Sequence, residues 1–184
     1  FSSIHDLEVS SGQAVFLGGS PTKPVALTKL DLATGEAQSL RQASTIEIDP
    51  GYVSVGQAIE FPTENGQTAH AFYYPPRNAD FAAPDGERPP LLVRSHGGPT
   101  SATSRDFSLS NQYWTSRGYA FLDVNYGGST GYGRKYRNRL RGNWGVIDID
   151  DCINGAKFLV EQGLADADRT AIDGGSAGGY TTLG

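Results

Sequence analysis

Ile172-Asp173-Gly174-Gly175-Ser176-Ala177-Gly178-Gly179-Tyr180 is the stretch from which the fold can be read. A short apolar run enters it, and Ser176 stands at the centre of a G-x-S-x-G spacing. The pattern fits a sharp turn from a strand into a helix, in which a strained backbone lifts the serine hydroxyl clear of the sheet. Glycines are expected on both sides because a Cβ there would clash. Ser176 is therefore the nucleophile candidate. A serine needs a base at neutral pH, and the partners of such a turn come later in the chain. Only Ala177 to Gly184 follow, so the base is expected outside these residues.

Working outward, Leu91-Leu92-Val93 reads as a buried strand aimed at His96-Gly97-Gly98-Pro99, and Tyr119 to Val124 as a second one. Between them, residues 106 to 117 are expected to form a helix with Phe107, Tyr113 and Trp114 as apolar contacts, closed by Gly118. The glycines at 127, 128, 131 and 133 predict a tightly turning loop. Ile149, Ile153, Ala156 and Val160 then recur with helical spacing, and Gly163 ends the helix. Asp148 and Asp151 near its start read as capping and surface charges that favour the helix dipole. A last strand from about Thr170 to Asp173 enters the serine turn. Strands alternating with helices from 91 to 176 imply a doubly wound, mostly parallel sheet.

Further upstream the period changes. Val55 to Phe61 and Ala69 to Tyr74 form a hairpin pattern around Glu64-Asn65-Gly66, a type I′ turn signal. The polar stretch 79 to 90 reads as an exposed loop. Before Asp49-Pro50-Gly51 lie short strands, Ala14 to Leu17, Val25 to Asp31 and Ala37 to Leu40, too few to close a core alone. They are expected to be the end of a larger all-β body such as a propeller. Residues 1–50 and 51–184 are thus expected to be two units.

The net charge is −5, which argues against a nucleic-acid surface. Arg134, Lys135, Arg137, Arg139 and Arg141 form one basic stretch, read as a solvated surface. Cys152 stands alone, which excludes an intrachain disulfide and suits a small core residue. No run approaches the roughly 18 apolar residues of a spanning helix. The chain begins with Phe1 and contains no Met, so it is expected to be cut from something longer.

An acyl-transfer site needs two hydrogen-bond donors for the oxyanion as well as a nucleophile. The N–H of Ala177, first after the serine, is one. Gly98 is the other choice, since a glycine lets the backbone approach a substrate oxygen, whereas Pro99 has no N–H. His5 and His70 read as surface or packing residues, and His96 as a ring that lines the site or orients its loop. No metal-ligand set is present in the sequence.

These residues resemble the prolyl oligopeptidase family of serine peptidases, in its acylaminoacyl-peptidase and dipeptidyl-peptidase-like branch. The resemblance rests on residues 91–99, on Asn125 to Gly133, on Gly142-Asn143-Trp144-Gly145 with Asp148 and Asp151, on Asp168-Arg169 and on Gly174 to Tyr180. It implies a partial α/β-hydrolase fold at 51–184, preceded at 1–50 by the remnant of a β-propeller that admits peptides rather than folded proteins. It also implies Ser176 as nucleophile, Gly98 and Ala177 as oxyanion donors, and His96 and Tyr180 as substrate-binding residues. No cofactor, metal, nucleic acid or membrane partner is expected; the full-length parent is expected to be cytoplasmic and able to form a homo-oligomer. The family's aspartate and histidine lie downstream of residue 184, and their absence should leave a sheet edge and an apolar helix face uncovered. Family members usually show an arginine where Gly127 stands. The alternatives are a carboxylesterase or lipase of the same fold and a non-catalytic binding module.

Overall fold

A computed structural model describes all 184 residues, and it contains two sheets. The first is an antiparallel meander of β1 (Ser3–Ser10), β2 (Gln13–Gly19), β3 (Ala26–Asp31) and β4 (Ala37–Gln42) in sequential order. β1 was not expected from the sequence: its residues are almost all exposed, so no alternation of apolar and polar residues marks it. At the β3–β4 turn Asp31 accepts the N–H groups of Ala33 and Thr34, and Gly35 takes a φ of +75°.

The second sheet has the order β5-β6-β8-β7-β9, with β5 (Gln57–Thr63), β6 (Gln67–Tyr74), β7 (Leu91–Ser95), β8 (Ala120–Asn125) and β9 (Thr170–Gly174). The predicted hairpin is β5–β6, and both Asn65 and Gly66 take the positive φ that its turn needs. The sheet is mixed rather than mostly parallel. β5–β6 and β6–β8 pair antiparallel, because a tight hairpin feeds the sheet from one edge, while β7–β8 and β7–β9 pair parallel.

Helix α1 (Leu109–Thr115) carries the chain from β7 to β8, and α2 (Gly133–Asn138) and α3 (Ile147–Glu161) carry it from β8 to β9. α1 and α3 cover opposite faces. All six residues of β8 are buried: Leu122 and Val124 lie in the large core under α3, and Phe121 packs with Tyr74 and Leu92 on the α1 side. Burial on both faces explains why this strand reads as an unbroken apolar run.

Two helices differ from expectation. α1 is shorter than 106–117, since Ser108 caps it, and its buried face is polar: Asn111, Gln112 and Thr115, with Tyr113 exposed. Gln112 explains this, because it exchanges hydrogen bonds with the backbone of Ser54 and so ties the helix to the chain entering β5. In α3 the buried face is Asp148, Asp151, Cys152, Gly155 and Leu159, about one residue round from the predicted stripe. Asp148 and Asp151 are therefore core residues and not surface charges. Gly155 permits the rotation, since Phe61 and Leu122 approach to 3.0 Å from where its Cβ would stand. Cys152 is buried in the core, as read from the sequence.

Candidate active site

β7 is the point where the winding reverses: the next strand in sequence, β8, lies on one side of it and β9 on the other. The loops that leave the carboxyl ends of β7 and β9 therefore open side by side, at the place where open α/β sheets form a crevice. One loop is His96 to Pro99 and the other is the serine turn.

Ser176 has φ 54° and ψ −120°, a conformation that costs a non-glycine residue roughly 1–3 kcal/mol. It is exposed, its hydroxyl caps nothing, and α4 (Ala177–Leu183) starts immediately after it. The strain is held by close packing. A Cβ on Gly178 would stand 2.0 Å from the Ser95 carbonyl oxygen and 2.9 Å from that of His96. One on Gly174 would stand 2.4 Å from the Gly178 carbonyl oxygen. Gly175, by contrast, has open space, so only the motif's outer glycines are sterically required.

The same packing brings the two loops together. A Cβ on Gly97 would meet the Gly175 carbonyl oxygen at 2.9 Å and the Ser176 Cβ at 3.3 Å. Gly98 next to it takes a φ of +59°, and its carbonyl accepts the Ser101 N–H. Ala177, as first residue of α4, presents an N–H with no intrahelical acceptor. Ser176, Gly98 and Ala177 thus belong to two loops in contact.

His96 is held rather than free. Its ring stacks on Tyr126 at 4.3 Å, and Nδ1 lies 2.9 Å from the Gly97 carbonyl oxygen, which can only accept. Nδ1 therefore carries the proton in this contact, and Nε2 lies 2.8 Å from the Ser129 Oγ, whose hydroxyl has the Tyr126 carbonyl as acceptor at the same distance. Burial pulls its pKa below the ordinary imidazole value, against the opposing effect of the Gly97 carbonyl. Both nitrogens are engaged, one by Gly97 of its own loop and one by Ser129 of the glycine loop. His5 lies exposed in β1, and His70 stacks on Tyr132 at 4.1 Å. Tyr180 is exposed on α4, with its ring 5.0 Å from that of Trp144.

Around this centre stand residues whose roles were not read from the sequence. Asn125 holds the segment after the His96–Pro99 loop, accepting the Thr103 N–H and donating to the Thr103 carbonyl and the Tyr132 hydroxyl. Tyr126 donates its hydroxyl to the His96 carbonyl at 3.0 Å. Asp148 accepts the Gly145 N–H and the Thr181 hydroxyl, tying α3 to α4. Asp151 accepts the Thr63 hydroxyl and the Gly127 N–H, tying α3 to β5 and to the glycine loop. Burial raises the Asp151 pKa, while those hydrogen bonds and the Arg139 guanidinium 3.9 Å away oppose the rise. Arg139 also answers the departure at Gly127. A Cβ there would stand 2.7 Å from the Ile147 Cγ2 and 3.0 Å from the Arg139 Nε, so Ile147 and the guanidinium together occupy the space a side chain at 127 would need. The available signal was the D-x-x-D spacing at Asp148 and Asp151, which puts both carboxylates on one helical face.

Comparison with known proteins gives a consistent result. Residues 105–184 match the model of the prolyl oligopeptidase family. The chain superposes on a puromycin-hydrolysing peptidase of Mycobacterium tuberculosis with TM-score 0.94 and 46% identity, covering 96% of this chain and 27% of that one. It is 39% identical over 128 residues to dipeptidyl aminopeptidase BIII of Pseudoxanthomonas mexicana, which covers 68% of this chain and 18% of the relative. It is 40% identical over 98 residues to the acylamino-acid-releasing enzyme of Arabidopsis thaliana, covering 53% of this chain and 13% of the relative. The chain thus spans little more than a quarter of these relatives at most.

Proposed function

That the chain belongs to the prolyl oligopeptidase family is the premise from which we propose that the whole protein is a serine peptidase, hydrolysing short peptides through an acyl-enzyme on Ser176. Residues 51–184 are then the first half of an α/β-hydrolase domain, and the β1–β4 meander is the end of a propeller that screens it. The observation that carries the reading is the strained Ser176 turn pressed against Gly97, which brings a nucleophile and an oxyanion loop to adjacent parallel strands.

In this reading the Ser176 Oγ attacks the scissile carbonyl carbon and passes its proton to a general base. The carbonyl oxygen, now anionic, accepts the N–H groups of Gly98 and Ala177. The C–N bond then breaks, the amine leaves with the proton, and water releases the acid from the acyl-enzyme. The base and its orienting carboxylate are assigned to parts of the whole protein outside residues 1–184, because both His96 nitrogens are already engaged, by Gly97 and by Ser129. His96 serves by positioning Gly97 and Gly98, and Tyr180 by forming a wall of the substrate cleft with Trp144.

The test is fluorophosphonate labelling of the whole protein together with hydrolysis of matched peptide amides and esters. Labelling and amide cleavage are expected, both lost in Ser176→Ala, with kcat lowered by about 10⁴-fold or more. Cleavage of esters alone would replace the peptidase by an esterase, and absence of labelling would remove the nucleophile.

A further inference from the structure

The basic stretch read as solvated surface does not lie on a featureless face. Pro99 and Thr100, directly after the proposed oxyanion donor Gly98, share the lining of a pocket of about 290 Å³ with Arg137, Asn138, Arg141 and Trp144. Its far wall is tied to the nucleophile: Trp144 packs on Tyr180, and Tyr180 lies 3.0 Å from where a Cβ on Gly145 would stand. The pocket thus runs from the oxyanion loop to Trp144, which packs on Tyr180 of the nucleophile helix.

Its charge is one-sided. Arg137 and Arg141 are exposed and make no ion pair, whereas Arg139 between them turns inward over the Tyr136 ring. Arg134 and Lys135 on the same helix are also exposed and unpaired, and Arg134 and Arg137 line the adjoining pocket with Thr130. Four cations without carboxylate partners stand together in a chain whose net charge is −5. A cationic wall of this kind concentrates anions near it and favours a ligand that brings a carboxylate, which arginine can take in a bidentate geometry.

We propose that Arg137 and Arg141 form a carboxylate-recognising subsite beside the oxyanion loop, so that peptides carrying a carboxylate next to the scissile bond are the preferred substrates. The proposal rests on the peptidase reading of Ser176. The carboxylate comes either from an acidic side chain or from a free C-terminus, and the two have separate readouts.

In the whole protein, kcat/KM is measured for peptides that carry Glu or Gln at each position flanking the scissile bond, and for each with a free or amidated C-terminus. One carboxylate position is expected to raise kcat/KM by about three- to tenfold over its neutral isostere. A Glu-to-Gln difference assigns a side chain; an acid-to-amide difference assigns the C-terminus. The ratio should fall towards one at high salt. It should invert in the Arg137→Glu, Arg141→Glu double variant and persist in Lys135→Gln, which lies on the same helix outside the pocket. Ratios of one at every position, or a preference that survives the double variant, overturn the subsite. If fluorophosphonate labels Ser176 but none of the peptides is cleaved, the peptidase reading fails and the subsite with it, an outcome distinct from even cleavage of all of them.

Discussion

The two glycines that frame the serine turn and the one inside it make opposite predictions. In Gly178→Ala the new methyl would lie 2.0 Å from a strand carbonyl oxygen that cannot move without breaking the sheet. A loss of at least about 3 kcal/mol in urea unfolding is expected. Gly175→Ala meets nothing within 4 Å and should be neutral or stabilise by up to about 1 kcal/mol. Asp123 gives a pH-dependent case. Burial pushes its carboxyl up to about 6, the Thr103 hydroxyl and Arg94 opposing the rise, so the folded chain holds a proton that the unfolded chain releases near 4. The stability this proton confers is complete below pH 4 and is lost as pH rises through 6. Asp123→Asn keeps the neutral form, so its unfolding free energy relative to the parent should climb between pH 4 and 7, by about 1–3 kcal/mol. The serine and its glycines were legible in the sequence because one local turn demands them. Asp148 and Asp151 were misread because a carboxylate near a helix start looks the same whether it faces water or a neighbouring backbone N–H.

At the scale of elements, the strands of the second sheet were readable because β7 and β8 are buried on both faces and the β5–β6 turn has its own chemistry. The rotation of α3 was not, since it is decided by partners far away in sequence: Thr63, Gly127, Gly145 and Thr181 all donate to its two aspartates. These bonds make α3 the clamp between the glycine loop and helix α4. Asp148→Ala should therefore leave the Gly145 N–H without its acceptor and cut the tie to Thr181, whose hydroxyl keeps the Ala177 carbonyl, costing roughly 1–3 kcal/mol by urea unfolding. It should also slow fluorophosphonate labelling of the whole protein. Asp150→Ala, two residues on and half-exposed, should stay within about 0.5 kcal/mol.

Across the whole molecule, the apolar stripe of α3 lines an open groove: Ile153, Ala156 and Val160 look onto Ala171 and Ile172 of the edge strand β9, with Ala156 and Val160 also packed against the core. Residues 1–184 expressed alone should bind an apolar dye and associate, and Ile153→Lys should reduce both, as light scattering would show. Between the two sheets lies an open cleft of about 820 Å³ lined by Thr22, Pro24 and Ile46 on one side and Val55, Arg77 and Phe107 on the other. The sheets are joined by polar contacts: Ser2 and Ser3 both donate to Asp106, and the Phe107 N–H donates to the Ser20 carbonyl. Asp106 ends a segment that Thr103 fastens to Asn125 and Ser101 fastens to Gly98. The first sheet is thus a lever whose short arm ends on the loop that holds Gly98, so that a shift of one sheet against the other would be felt beside Ser176.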